Sequence, residues 1–196
     1  MTYLRSWLCA LFFLLVSFSL PAFAQRNVFE LDPSRSSVHF TLKTSLHTVH
    51  GTFRLKSGKV SVDPLTGGAS GSIVVDAVSG DTGNSGRDSK MHGEILRSRI
   101  YPEIAFVPRD IQGHIQAEGD SQLEISGAFH LLGLDHEIAV PAIVRIAGSA
   151  LSLDSDFSIP YIAWGLKNPS TFILRASDMV QLSLHAVGSW TPESAN

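Results

Sequence analysis

The chain has 196 residues, with 15 Lys and Arg against 18 Asp and Glu and a formal net charge of −3 at pH 7. The basic residues are scattered and form no cluster or stripe, which excludes nucleic acid as a partner. The single cysteine, Cys9, lies in an apolar N-terminal run, so the sequence downstream excludes disulfides, cysteine catalysis and thiolate metal sites.

Residues 1–24 have the pattern of a cleavable signal peptide. Arg5 supplies the positive charge, and the apolar run from Trp7 to Leu20 is shorter than the about 20 residues that a spanning helix needs. Ala22-Phe23-Ala24 matches an A-x-A cleavage site. We therefore expect cleavage after Ala24 and a periplasmic or secreted product, not membrane-spanning, in which residues 25–196 form one domain.

Alternation of apolar and polar residues dominates from Val38 onward, as is typical of half-buried strands. About eight such runs are separated by short turns rich in Gly, Asp and Pro. Helix-sized amphipathic runs, which parallel strands would need as crossovers, are missing between them. The pattern predicts an all-β antiparallel barrel or sandwich, in which Pro141 marks a bulge or an edge because it has no N–H to donate.

The longest interruption of this pattern runs from Asp81 to Phe106 and contains a short amphipathic segment at about residues 87–96. Met91 and Ile95 share one face if the segment is helical, although Gly93 weakens a helix. Two interpretations stay open. The Met-Ile face contacts a flexible apolar ligand at the barrel mouth, or it plugs the end of the core.

The charged residues of the same segment are also open to two interpretations. Arg87, Asp88 and Lys90 either hold a polar group of a ligand or cap and solvate the segment in which they lie. Elsewhere, Asp154 and Asp156 share one face of a predicted strand and indicate a solvated outer surface.

The eight histidines of the chain invite a metal site. His47 and His50 form an H-x-x-H pair, but residues three apart on a strand face opposite sides, so one ion cannot readily take both. We expect no catalytic residues, metal or cofactor. The alternative is a hydrolase or metal-assisted enzyme that uses His47, His50, His92 or His130.

Several blocks of the sequence resemble the YceI-like family of lipocalin-like exported proteins. They are Asp32-Pro33 with Ser36-Ser37-Val38 and Phe40, His47 to Phe53, Asp81-Thr82-Gly83-Asn84 with Arg87-Asp88, Tyr101-Pro102 with Ile104 and Phe106, Ile125-Ser126-Gly127 through Leu132-Gly133-Leu134, and Val140-Pro141. The chain departs from the family at Lys43-Thr44, where Lys-His is frequent, and it lacks a clear Asp-Phe-Gly near the C-terminus. Residues 164–170, WGLKNPS, are similar to a variant found in part of the family.

The resemblance implies a lipocalin-like β-barrel whose long apolar tunnel binds a polyisoprenoid, an isoprenoid quinone or a similar long-chain amphiphile for storage or transport. Residues 81–106 then become a lid, held in place by Arg87 and Asp88. Alternation does not distinguish a hollow barrel from a filled one that serves as an interaction module, and it leaves a homodimer open. The residues expected to contact the ligand are Phe40, Leu42, Phe53, Ile73, Val75, Met91, Ile95, Tyr101, Ile104, Phe106, Phe129 and Trp164.

Overall fold

Strands make up most of the residues that the computed structural model describes, which are 26–171 and 174–193. The predicted signal peptide lies outside these residues. The elements are β1 Asn27–Leu31, β2 Ser37–Lys43, β3 Thr48–Val62, β4 Ala69–Asp81, α1 Ser85–Lys90, β5 Glu103–Gln112, β6 Gly119–Leu131, β7 Leu134–Ala147, β8 Ala150–Ile159 and β9 Val180–Pro192. A 3-10 turn at Pro33–Arg35 and a π-helical turn at Met91–Ile95 complete the list.

All strand pairings are antiparallel, and the sheet closes on itself because β3 pairs with both β2 and β4. β1 and β2 each pair with β3 on one side and with β9 on the other. They follow one another end to end along these two strands, so together they fill a single strand position. The result is a closed barrel of eight strand positions with one short helix. This confirms the predicted antiparallel, lipocalin-like barrel.

The break between β1 and β2 has a local cause in the sequence. Asp32 caps the 3-10 turn, because its Oδ1 accepts hydrogen bonds from the Ser34 backbone N–H at 3.0 Å and from the Ser34 hydroxyl at 2.6 Å. Pro33 follows at the first position of the turn, where a missing N–H costs nothing. The strand therefore bends after Leu31 and resumes at Ser37.

Period-two alternation sorts the side chains between the inside and the outside of the barrel. On β8, Leu151, Ser155 and Ile159 are buried, whereas Asp154 and Asp156 are exposed. The predicted outer face of the two aspartates is confirmed. The same rule places the apolar residues of the other strands toward the interior.

Pro141 lies where the wall of the barrel opens between β7 and β8. It pairs with Glu124 of β6, but pairing between β7 and β8 ends at Ile143 and Asp154. Pro141 is therefore at a local edge, as predicted, and no neighbouring strand there requires its N–H. Ser155 of β8 bridges the opening, since its hydroxyl donates to the Pro141 carbonyl at 2.6 Å.

Apart from the 3-10 turn at Pro33–Arg35, the helical residues that the structure describes form one continuous segment between β4 and β5. α1 has six residues and the π-helical turn that continues it has five. In the described part of the chain no helix has both the length and the apolar character needed to cross a membrane.

Candidate functional site

The interior of the barrel is a cavity of about 490 Å³. Its walls come from the inward faces of the strands and are almost entirely apolar. This volume lies in the roughly 300–1,000 Å³ range of small-molecule sites. Of the two interpretations that alternation leaves open, the structure shows the hollow barrel.

The cavity runs between two apolar clusters. The deep cluster, which includes Leu31, Val60 and Ile146, lies at the end of the barrel where β1 begins and β9 ends. The mouth cluster includes Phe40, Met91 and Phe129 and lies beside the lid. An elongated apolar guest would therefore contact Leu, Val, Ile and Phe side chains along its whole length.

Ten of the twelve residues predicted to contact a ligand line this cavity. They are Phe40, Leu42, Phe53, Ile73, Val75, Met91, Ile95, Ile104, Phe106 and Phe129. Eight of them are inward positions on strands, where the two-residue period fixes the direction of the side chain. Met91 and Ile95 come from the lid.

The other two predicted residues, Tyr101 and Trp164, do not line the cavity. The Tyr101 ring lies under the Arg97 guanidinium, 5.0 Å from Cζ to the ring centroid, and beside Gly133 in the turn between β6 and β7. Trp164 stacks on His136 of β7, with ring centroids 4.4 Å apart and planes 6° from parallel. Trp164 thus backs the wall close to the opening between β7 and β8.

The connection between β8 and β9 contributes wall residues that sequence reasoning did not single out. Tyr161 and Leu166 are 4% and 7% exposed and line the cavity, as do Pro169 and Leu174. Only the aromatic and apolar composition of residues 159–169 signalled burial here. It could not say which side chains point inward, because an irregular connection has no period.

Burial has a chemical consequence at Tyr161. The Tyr161 hydroxyl donates to the Ser177 carbonyl at 2.8 Å, which ties the start of the connection to its end. Burial, with a smaller contribution from Asp178, raises the pKa of Tyr161 to about 12. The phenol is therefore neutral throughout the physiological range and acts as a hydrogen-bond donor.

The lid closes over the mouth where the sequence predicted a short helix. Met91 is only 8% exposed and reaches into the barrel beside Phe53. Gly80 permits this approach, since a Cβ there would lie 2.8 Å from Met91 Cε and 2.5 Å from the Phe53 ring. A side chain at Gly80 would displace the Met91 side chain or the Phe53 ring.

Thr82 links the two charged residues at the start of the lid. Its backbone N–H and hydroxyl donate to Asp88 Oδ1 at 3.0 and 2.6 Å. Arg87 donates from Nε to the Thr82 hydroxyl at 2.8 Å and from Nη2 to the Thr82 carbonyl at 2.9 Å. Arg87 and Asp88 therefore anchor the lid, in agreement with the sequence interpretation.

The far side of the lid is tied to the β8–β9 connection. Lys167 donates to Glu94 at 2.5 Å, and Lys90 donates to the Pro169 carbonyl at 3.1 Å. The hydrogen bond from Lys167, with a smaller contribution from Lys90, holds the pKa of the Glu94 carboxyl below its usual range. Lid and connection thus close the mouth together.

The histidines proposed for the enzyme alternative do not converge. His92 lies in the lid, where Nδ1 is 3.0 Å from the Ser98 hydroxyl and Nε2 is 2.8 Å from the Gly80 carbonyl. His50 pairs with Thr41, and His130 pairs with an exposed aspartate. Within residues 26–171 and 174–193, no three His, Cys, Asp or Glu side chains lie close enough to hold a metal ion.

The chain matches one family model and is similar to several solved structures. A family model described as the YceI-like domain matches residues 29–188. BcnA of Burkholderia cenocepacia is 22% identical, with a TM-score of 0.67 over 81% of this chain and 99% of its own. A polyisoprenoid binding domain from Saccharophagus degradans, implicated in plant cell wall breakdown, is 16% identical, with a TM-score of 0.64 over 84% of this chain and 98% of its own.

A third structure, the YCEI protein of Campylobacter jejuni, is 16% identical, with a TM-score of 0.60 over 77% of this chain and 88% of its own. No curated protein sequence matches the chain. At these identities the solved structures show a shared fold, and the match of the family model extends from β1 into β9.

Proposed function

The chain belongs to the YceI-like domain family, and from this premise we propose that it is an exported binding protein for a long-chain isoprenoid amphiphile. Its ligand is a polyisoprenoid, an isoprenoid quinone or a similar lipid, which it shields from water for storage or transport. The apolar cavity of about 490 Å³ is the observation that carries this proposal.

The energetics of the cavity favour a tail over a compact polar substrate. Each methylene moved from water into an apolar wall contributes about 0.8 kcal/mol. A polar group placed deep in the barrel would meet few partners, because Ser155 already donates its hydroxyl to Pro141. The tail therefore lies along the barrel and the polar head lies at the mouth.

A binding role is also supported by the comparisons. The Saccharophagus degradans domain of the same fold is described as binding a polyisoprenoid. Arg87 and Lys90 at the mouth of the present barrel hold the lid through hydrogen bonds. The Ser98 hydroxyl lies 3.0 Å from His92 Nδ1, but Ser98 is only 2% exposed and neither residue lines the cavity, so this pair is out of reach of a guest. The family and the fold thus favour binding over catalysis.

Organic extraction of protein purified from its native envelope, followed by mass spectrometry, tests the proposal. We expect about one long-chain isoprenoid amphiphile per chain. A radiolabelled long-chain polyprenol should also bind to delipidated protein. Absence of an extracted lipid from several expression hosts, together with no binding of the polyprenol, would overturn the proposal.

Export is tested separately by cell fractionation and N-terminal sequencing. We expect the protein in the periplasmic or secreted fraction, with Gln25 as its first residue. A cytoplasmic product that retains residues 1–24 would contradict export without bearing on ligand binding.

A further inference from the structure

The polar part of the cavity is concentrated at the mouth and is cationic. Arg87 and Lys90 both line the cavity and are half-buried, and they are three residues apart on the lid, so their side chains lie on neighbouring positions of one helical face. Thr82 accepts hydrogen bonds from Arg87, and the cavity is also lined by the neutral Thr44 and Thr171 and by His47.

These cations have no carboxylate of their own. Arg87 donates to Thr82 and Lys90 donates to the Pro169 carbonyl, and both acceptors are neutral. Among residues 26–171 and 174–193, neither cation forms an ion pair, and none of the cavity-lining residues is an aspartate or a glutamate. Of the acids in the lid, Glu94 pairs with Lys167, and Asp88 accepts from the Thr82 hydroxyl that also accepts from Arg87. The Asp88 carboxylate is therefore one hydroxyl away from the Arg87 guanidinium, whereas the acceptor of Lys90 is a neutral carbonyl.

Two half-buried cations beside an apolar cavity create a site that favours an anion. Burial strengthens the field of a charge and makes an unpaired charge costly, so an anion placed between them relieves both cations at once. Five guanidinium donors are available on arginine, of which Nε and Nη2 are used here, and the ammonium of Lys90 keeps further donors. A neutral head group would leave Lys90 without an anionic partner.

From this geometry we infer that the amphiphile carries an anionic head, a phosphate or a carboxylate, which Arg87 and Lys90 bind at the cavity mouth. The inference rests on the proposed function and narrows it, because it ranks an acidic isoprenoid above an isoprenoid quinone or alcohol. Arg87 then has two roles, anchoring the lid through Thr82 and binding the head with its remaining donors.

Binding of matched probes to the delipidated full chain tests this inference. Three probes share one isoprenoid tail length and differ in the head group, which is a monophosphate, a carboxylic acid or an alcohol. Inorganic phosphate serves as a competitor. We expect at least one of the two anions to bind about tenfold more tightly than the alcohol, which is the scale of one charge-assisted hydrogen bond. Added salt should weaken the binding of the anion and leave the alcohol unaffected.

Three variants assign the effect to the mouth. Lys90→Met removes the charge and keeps the length of the side chain, Lys90→Arg retains the charge, and Lys59→Met removes an exposed charge from β3 outside the cavity. We expect Lys90→Met to lose most of the preference for the anion, while Lys90→Arg and Lys59→Met retain it. The readout is the ratio of the affinity for the anion to the affinity for the alcohol, because Lys90→Met also loses the hydrogen bond to the Pro169 carbonyl and this loss weakens the binding of both probes. A circular dichroism spectrum equal to that of the natural protein shows that the barrel of each variant is folded.

The outcomes separate this inference from the proposed function. A preference for both anions supports a general anionic head, and a preference for one of them supports that head alone. Competition by inorganic phosphate at concentrations near those of the probe would assign recognition to free phosphate and would overturn a lipid head. Equal binding of anions and alcohol overturns the inference and leaves the proposed function standing, whereas failure of every tailed probe to bind overturns both.

Discussion

Tyr161 is a phenol that the fold holds in its neutral form, and its titration provides a test at the scale of one residue. Its pKa is about 12, against an ordinary value of 10.0, because burial disfavours the phenolate. A raised folded-state pKa contributes stability that is fully present below pH 10 and is lost as the pH rises toward 12. The unfolded chain releases the proton first, so unfolding becomes easier in this window.

We expect the free energy of unfolding to decline with pH more steeply in the natural protein than in Tyr161→Phe. Between pH 7 and pH 11 the natural protein should lose about 1 kcal/mol more than the variant. At pH 7 the Phe variant should be about 1 kcal/mol less stable, because the Ser177 carbonyl loses its donor. Urea unfolding of both proteins between pH 7 and pH 11 measures the difference, in which the titration of all other groups cancels. Parallel pH profiles would show that Tyr161 titrates normally.

The single residues show where prediction from sequence succeeds. Phe40, Val75 and Phe129 lie on strands, and the two-residue period alone directs their side chains into the cavity. Tyr101 and Trp164 lie on connections, where no period fixes the direction, and both point elsewhere. Tyr101 packs against Arg97 and Trp164 against His136, and neither neighbour was named by the sequence interpretation.

At the scale of the element, a substitution of Thr82 tests whether its hydrogen bonds hold the lid closed. Thr82→Val keeps the shape of the side chain and removes the hydroxyl that accepts from Arg87 and donates to Asp88. We expect several-fold faster amide exchange across residues 84–96 and several-fold faster ligand release, because loosely held lids open locally. The global free energy of unfolding should fall by no more than about 1 kcal/mol per lost hydrogen bond.

Thr48→Val is the matched control for this change. Thr48 is exposed on β3, paired in register with Lys43, and lies outside the cavity. The control should leave both lid exchange and ligand release unchanged. Equal rates in the two variants would mean that the Thr82 contacts do not hold the lid shut.

At the scale of the whole molecule, alternation predicted the barrel but not its hollowness. Inward apolar residues serve a packed core and an apolar cavity equally well, and only their distance across the barrel distinguishes the two. The single strand position shared by β1 and β2 was also hidden, although Asp32-Pro33 marks its break. The lid was recognised as an interruption of the strands, but its ties to Pro169 and Lys167 join distant parts of the sequence.

A substitution midway along the cavity tests its hollowness directly. Val75 lines the wall between Leu55 of β3 and Ile104 of β5, and it packs against the deep cluster while Ile104 packs against the mouth cluster. In a packed core, Val75→Trp would cost about 1–3 kcal/mol through overpacking. In a cavity the indole occupies open space, so we expect the melting temperature to stay the same or rise.

Ligand binding should respond in a length-dependent way. With the indole across the cavity, a long-tailed isoprenoid loses its contacts with the deep cluster, and each excluded methylene costs about 0.8 kcal/mol of binding free energy. A short-tailed isoprenoid keeps its contacts with the mouth cluster. We expect the affinity for the long tail to fall at least about tenfold and that for the short tail to change little. Val78→Trp, at a position of the same strand that is 54% exposed, should alter neither. If Val75→Trp and Val78→Trp bind long tails alike, the tail does not lie along the barrel.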